Sequence, residues 1–206
     1  MCDITIPSAG SLNPRVCGDG DERAEIFLIG QNPGQNEVME CRPFVGKAGK
    51  RLDAALSAAG LKRKDIYITN ACKCFTEGNV DPAPEYQAAC RHWLVKELRA
   101  VMPKVIVLLG ASAHRSYAAL VAENQKTRVI DTPSVGRIIL IDYQGDDNAW
   151  KVPPYSVDAC RKLNLFDSPF GKAMFTVHPM YTGYNPEAFP ILVKSLQVAK
   201  HVAAKL

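Results

Sequence analysis

The chain has 206 residues, 47% hydrophobic and 22% charged, with a formal net charge of +4. That is the composition of a soluble globular protein with enough chain for one domain and a real core, and no apolar run approaches the roughly 20 residues of a membrane span. The positive charge permits a polyanionic partner without requiring one.

The N-terminus, Met1-Cys2-Asp3-Ile4-Thr5-Ile6-Pro7, has neither a basic region nor an apolar stretch, so it does not read as a signal peptide, and a cytoplasmic location is expected. A short apolar run predicts a strand over 25–30. It opens into "GQNPGQNEVMECRPFVGKAG", residues 30–49, which holds four glycines and two prolines before a helix predicted over 47–59. A strand follows at 65–70. "PEYQAACRHWLVKELRAVMP" predicts a helix over 84–101, with Pro84 near its start and Pro103 just past its end. Lys104-Val-Ile-Val-Leu-Leu109 reads as a strand buried on both faces. A helix over 111–122 and a strand over 136–142 come next. Residues 143–173 lack a period and hold three prolines, which reads as an irregular insertion. A last strand at 174–178 precedes a helix over 187–204, with Ile191, Leu192, Leu196, Ala199 and Val202 on one face. Strands alternating with helices imply one α/β domain over 1–206, a parallel sheet covered on both faces.

Ligands of open α/β sheets sit outside the carboxyl ends of the strands. Three predicted strands end in polar turns, and a parallel sheet would bring Asn32, Asn70 and His178 to one rim. Gly30 and Gly34 let the backbone approach a ligand closely. The turn is neither a Walker loop nor a G-x-G-x-x-G fingerprint, and its spacing alone suits an ordinary strand-to-helix connection slightly better. Asn70 could cap a loop, and a lone His is commonly structural. With Phe44 the set gains meaning. An amide reads a pyrimidine edge, an aromatic ring stacks on its face, and an imidazole bonds a carbonyl oxygen that gains charge as the base departs.

Four motifs carry a family resemblance: "GQNPG" (30–34), "PFVGKAG" (43–49), "YITNACKC" (67–74) and "HPMY" (178–181). In this order they resemble the uracil-DNA glycosylase superfamily, closest to its iron-sulfur branch (family 4). The resemblance implies a three-layer α/β/α sandwich around a four-stranded parallel sheet. It implies an enzyme that flips uracil, or a related deaminated base, from DNA and hydrolyses its N-glycosidic bond to start base excision repair. Phe44 then matches the stacking ring, Asn70 the edge-reading amide, and His178 the imidazole near uracil O2, with Gly30 and Gln31 also lining the base. The first motif departs from that branch, with Gln31 in place of a catalytic Glu and Asn32 in place of Ala. It resembles other branches in which an Asn at position 32 positions water. Asn32 is therefore expected to place the nucleophile, ahead of Gln31. Lys47, Lys50 and Arg51 are expected to grip DNA phosphates, and Tyr181 or Met180 to wedge into the base stack.

Seven cysteines in a chain of this type argue against a disulfide framework. The branch holds a structural [4Fe-4S] cluster on four thiolates. Cys74 and Cys90 match two of its ligands. The usual Cys-x-x-Cys is broken by Thr5, leaving Cys2 and Cys17 as the other pair. Cys41, Cys72 and Cys160 have no counterpart and read as inert thiols. The chemistry needs no cofactor, the expected partner is uracil-containing DNA, no membrane is involved, and a monomer is expected. Two other functions compete: a catalytically weak module of the same fold that binds uracil or single-stranded DNA, and a structural iron-sulfur protein.

Overall fold

A computed structural model describes residues 15–124, 155–163 and 165–206, and the backbone of 128–132 and 136–140. In chain order the elements are β1 (Asp19–Gly20), β2 (Ile26–Gly30), α1 (Gln35–Glu40), α2 (Lys47–Ala58), β3 (Tyr67–Asn70), α3 (Pro84–Val101), β4 (Val105–Leu109), α4 (Ala111–Glu123), β5 (Arg128–Thr132), β6 (Gly136–Leu140), α5 (Val157–Lys162), β7 (Phe166–Ser168), β8 (Gly171–Thr176) and α6 (Ala188–Ala203).

The main sheet runs β1-β3-β2-β4-β8-β7. Its four central strands are parallel, as the alternating pattern required, and β1 and β7 add antiparallel edges. Every residue of β2 and β4 is buried, because helices cover both faces and leave no solvated side for polar alternation. Helix α2 packs against α6 and α3 against α4, giving the three-layer α/β/α fold.

Local chemistry sets the helix ends. Pro84 opens α3, where its missing N–H costs nothing. Met102 closes α3 in the left-handed conformation, and Pro103 prevents continuation. Ser156 caps α5 by accepting from the Ala159 amide at 2.9 Å.

Several expectations shift. The strand expected at 136–142 is β6, which pairs antiparallel with β5 in a separate two-stranded sheet and stays out of the main one. The strand expected at 174–178 starts earlier and ends at Thr176, so His178 lies just beyond it. The segment 143–173 is not wholly irregular: α5 buries Cys160 in the core, and β7 forms a hairpin with β8. Residues 143–154 lie outside the described residues, as do Cys2 and Thr5. On α6 the buried face includes Ser195 and Ala203, while Val202 is only partly covered. The Ser195 hydroxyl is accommodated there by Thr176 Oγ1 at 2.8 Å and the Ile191 carbonyl at 2.9 Å.

Lys73 is the outstanding buried charge, 1% exposed on its side chain. Its ammonium donates to Thr69 Oγ1 (2.6 Å), the Asn70 carbonyl (2.7 Å) and Glu97 Oε2 (2.6 Å), so all three protons are used. Glu97 Oε1 also accepts from the Gly18 amide at 2.9 Å, tying β1 to the same network. Removing the cation would leave Glu97 unpaired inside the fold. We expect Lys73→Met to cost about 3 kcal/mol in urea unfolding; a loss below about 1 kcal/mol would show that the pair is dispensable.

Candidate active site

Gly30 pairs with Asn70 in the parallel register of β2 and β3. The ladder continues beyond both strands, with Ala71 N–H bonded to the Gly30 carbonyl and Cys72 N–H to the Gln31 carbonyl, both at 2.9 Å. Two carbonyls of the "GQNPG" turn are thereby consumed by β3. Above them opens a cavity of about 480 Å³, lined among others by Gln31, Asn32, Phe44, Asn70, Phe75 and His178. The structure thus gathers the three rim residues and the ring named from sequence into one cavity.

Asn32 is fixed from one side. Its Nδ2 donates to Thr76 Oγ1 (3.0 Å), Asn79 Oδ1 (3.3 Å) and the Pro33 carbonyl (3.2 Å). Its Oδ1 is buried with no hydrogen-bond partner among the described residues. An orphaned buried acceptor costs roughly 1–3 kcal/mol, and in a ligand cavity it marks a place for a donor such as water. Gln31 is oriented differently. Its Nε2 donates to Asp81 Oδ1 at 3.2 Å, and that carboxylate also accepts from Ser112 Oγ at 2.5 Å and pairs with Arg115. Both residues are therefore held by the 76–81 loop, which sequence reading did not single out.

Asn70 is 2% exposed. Gly30 has to be glycine here, since a Cβ would stand 2.4 Å from Asn70 Oδ1 and 2.4 Å from the Phe44 ring. Phe44 sits in the left-handed region at φ 54°, which costs a non-glycine residue roughly 1–3 kcal/mol. Its ring centroid lies 6.2 Å from that of His178. Gly49 leaves room for this turn, because a Cβ there would meet the Phe44 carbonyl at 1.8 Å.

Glu37 holds the two motifs together. This buried carboxylate accepts from Gly34 N–H at 3.0 Å with Oε2, and from Val45 and Gly46 N–H at 2.9 and 2.7 Å with Oε1. The Gly34–Glu37 bond is the N3-to-N-cap half of a capping box, and its x-x-E spacing after the turn could have flagged Glu37 from sequence.

His178 follows β8 and is mostly buried, with its edge on the cavity. Its Nδ1 accepts from the Met180 amide at 3.2 Å. An accepting Nδ1 puts the proton of the neutral ring on Nε2. Desolvation by burial lowers its pKa from 6.5 to about 4, so the ring is neutral near pH 7.

The residues expected to grip DNA divide. Lys47 and Lys50 are exposed on the first turns of α2, and Lys47 lines the cavity. Arg51 is half-buried, its guanidinium against Gly183. Glu37 occupies the amides of Val45 and of Gly46, the N-cap residue of α2. Met180 lines the cavity, while Tyr181 stands on the exterior and accepts from Asn185 Nδ2 at 3.1 Å.

Among the described residues no group of three or more Cys, His, Asp or Glu side chains is arranged around a single ion. A four-iron cluster spreads its thiolates wider, and the thiols do adjoin. Cys72 hydrogen-bonds Cys90, which with the nearby Lys73 and Arg15 favours the Cys90 thiolate. Cys74 lies within electrostatic reach of Cys90 and bonds Arg15. The Val16 amide bonds the Lys73 carbonyl at 2.8 Å, placing Cys17 beside this loop. Cys17 is disulfide-bonded, whereas Cys41, Cys72, Cys74, Cys90 and Cys160 are free thiols. A disulfide sulfur is no iron ligand, so Cys17 fits a cluster only when reduced. Cys2, the fourth expected ligand, lies outside the described residues.

Comparison with known proteins places this geometry. A family model, the uracil DNA glycosylase superfamily, matches residues 17–203. A type-4 uracil-DNA glycosylase of Archaeoglobus fulgidus is 48% identical over 98 residues, covering 48% of this chain and 49% of that protein. One from Thermotoga maritima is 44% identical over 98 residues, covering 48% and 51%. One from Saccharolobus solfataricus is 31% identical over 186 residues, covering 90% of this chain and 74% of that protein. The match thus spans about half the length of the first two relatives and about three-quarters of the third.

The His178 environment sets a pH dependence. Its folded pKa, about 4, lies below the ordinary 6.5. The unfolded chain therefore binds the extra proton first, and stability is full above about pH 6.5 and falls as pH drops toward 4. The loss reaches at most about 3 kcal/mol, less for the ring edge open to the cavity. Urea titrations from pH 7.5 to 4 should show this slope in the wild type and a flatter one in His178→Asn. Superimposable curves would contradict a buried neutral imidazole.

Proposed function

The chain belongs to the uracil DNA glycosylase superfamily, and from that premise we propose that it flips uracil out of DNA and hydrolyses the base–sugar bond, leaving an abasic site. The observation that carries this reading is the orphaned Asn32 Oδ1 in the same cavity as a neutral His178 whose Nε2 carries the proton. One group offers an acceptor for water, the other a donor for a departing base.

Phe44 stacks on the pyrimidine face, and the Asn70 amide donates to one edge atom and accepts from another. The C1′–N1 bond breaks with its electron pair going to uracil, leaving an oxocarbenium-like sugar. The charge that gathers on uracil O2 is met by the Nε2–H of His178. Asn32 Oδ1 accepts from the water whose oxygen bonds C1′, and the released proton passes to solvent or to the uracil anion. A neutral amide is a poor base, so its part is placement of water after the bond has broken. Both contacts strengthen as charge develops, which is the condition for lowering a barrier. Lys47 and Lys50 reach flanking phosphates, and Met180 or Tyr181 fills the vacated stack.

A [4Fe-4S] cluster on Cys2, Cys17, Cys74 and Cys90 belongs to the same proposal. It would supply a structural tie between the N-terminal segment, the 70–74 loop and α3, with no part in the hydrolysis. Protein purified anaerobically should be brown and carry about four irons per chain, and Cys74→Ser or Cys90→Ser should bleach it and lower Tm. Colourless, iron-free protein of unchanged Tm would remove the cluster from the proposal.

The activity is tested with an oligonucleotide bearing one uracil, cleaved with alkali after single-turnover incubation. Asn32→Ala and His178→Ala should each slow release by about 10²–10³, roughly 3–4 kcal/mol, with DNA binding retained. Binding without release by the wild type would identify a uracil-binding module instead. If Asn32→Ala keeps full rate while Gln31→Ala loses it, the water belongs to Gln31.

A further inference from the structure

Phe44 can stack on a flipped base only if its ring is held in the cavity, and its own backbone resists that placement. Its left-handed φ of 54° is a conformation a phenylalanine leaves unless its surroundings enforce it. Two enforcing contacts come from glycine and Glu37, as described. A third comes from a residue outside the cavity. Arg63, just before β3, donates from Nη2 to the Pro43 carbonyl at 2.6 Å and from Nη1 to the Phe44 carbonyl at 3.1 Å. These two carbonyls belong to the peptide planes on either side of the Phe44 Cα. Fixing both planes fixes φ and ψ of Phe44 together. Asp53 Oδ1 accepts from the same Nη1 at 2.9 Å and sets the guanidinium plane. A planar fork of fixed donors suits this clamp, and a lysine ammonium does not reproduce it.

We propose that Arg63 is a positioning residue for base recognition: through the carbonyls of Pro43 and Phe44 it locks the ring that stacks on the base. The inference rests on the glycosylase reading for its effect on uracil, and on geometry alone for its effect on Phe44. Arg63 is absent from the cavity lining, so it acts on the base only through Phe44.

The test uses the full-length protein with Arg63→Ala, Arg63→Lys, Phe44→Ala and the Arg63→Ala/Phe44→Ala pair. Inhibition of uracil release by free uracil reports the base pocket, and binding to uracil-free DNA reports the rest of the interface. Arg63→Ala should weaken inhibition by free uracil about tenfold and leave uracil-free DNA binding within about twofold. Arg63→Lys should recover part of the loss. In the Phe44→Ala background, Arg63→Ala should cost nothing further, because the ring it positions is gone. Losses that add in the double variant, or wild-type inhibition in Arg63→Ala, would overturn the proposal, whatever happens to Tm. The Phe44 HN–Hα coupling decides the geometry without any activity: it should change in Arg63→Ala, and an unchanged coupling overturns the clamp. A wild-type protein that releases no uracil defeats the glycosylase reading instead, and the coupling still decides Arg63.

Discussion

The site depends on one carboxylate. Glu37 reaches from α1 to Gly34 on one side and to Val45 and Gly46 on the other. Each bond is charge-assisted, and together they satisfy three amides that would otherwise face a poorly hydrated interior. The "GQNPG" turn and the "PFVG" turn are separated by a short helix and are free to drift without this brace. With it, the Asn32 amide and the Phe44 ring share one rigid frame. The same carboxylate stands at the N-terminus of α2, bonded to the amide of its N-cap residue Gly46, where the helix dipole favours a negative charge.

The amides and the imidazole of the cavity are neutral, although Lys47 and Glu37 also line it. Asn32, Asn70 and the His178 ring are uncharged at pH 7, and the carboxylates nearby are turned elsewhere, Glu37 onto amides and Asp81 onto Ser112 and Arg115. A neutral donor pointed at a site of developing negative charge gains strength during the reaction and exerts little pull beforehand. A pre-existing cation there would bind the ground state and the product as well. On the proposed function, the burial that depresses the imidazole pKa also directs its interaction toward the moment of bond cleavage.

Much of this was readable in the residues. The alternating pattern required a parallel sheet, and parallel strands required Asn32, Asn70 and His178 to meet, because each follows a strand at its carboxyl end. Phe44 could be placed by its motif. Arg63 and Asp81 were missed because their partners lie 10 to 50 residues away, and such pairings carry no period; Glu37 acts on amides three to nine residues off. Only Glu37 left a local trace, in its capping-box spacing. The 136–142 strand was assigned to the wrong sheet for a related reason: a short apolar run reports burial and leaves its pairing partner open. Position 31 shows the opposite limit, since the residue type was plain and its direction toward Asp81 came only with the coordinates.

The strand order has a consequence for how the protein is made. Asn32, Phe44 and Asn70 are translated close together, on β2, β3 and the segments beside them. His178 arrives from the far end, just past β8, a strand that joins the parallel sheet through β4, itself seated against β2. A nascent chain therefore displays a base-shaped recess well before it owns the donor that completes it. Closing so long a loop is an entropic cost met late, after the local contacts have formed. On the proposed function, a chain lacking β8 and the segment after it lacks His178 and should release no uracil.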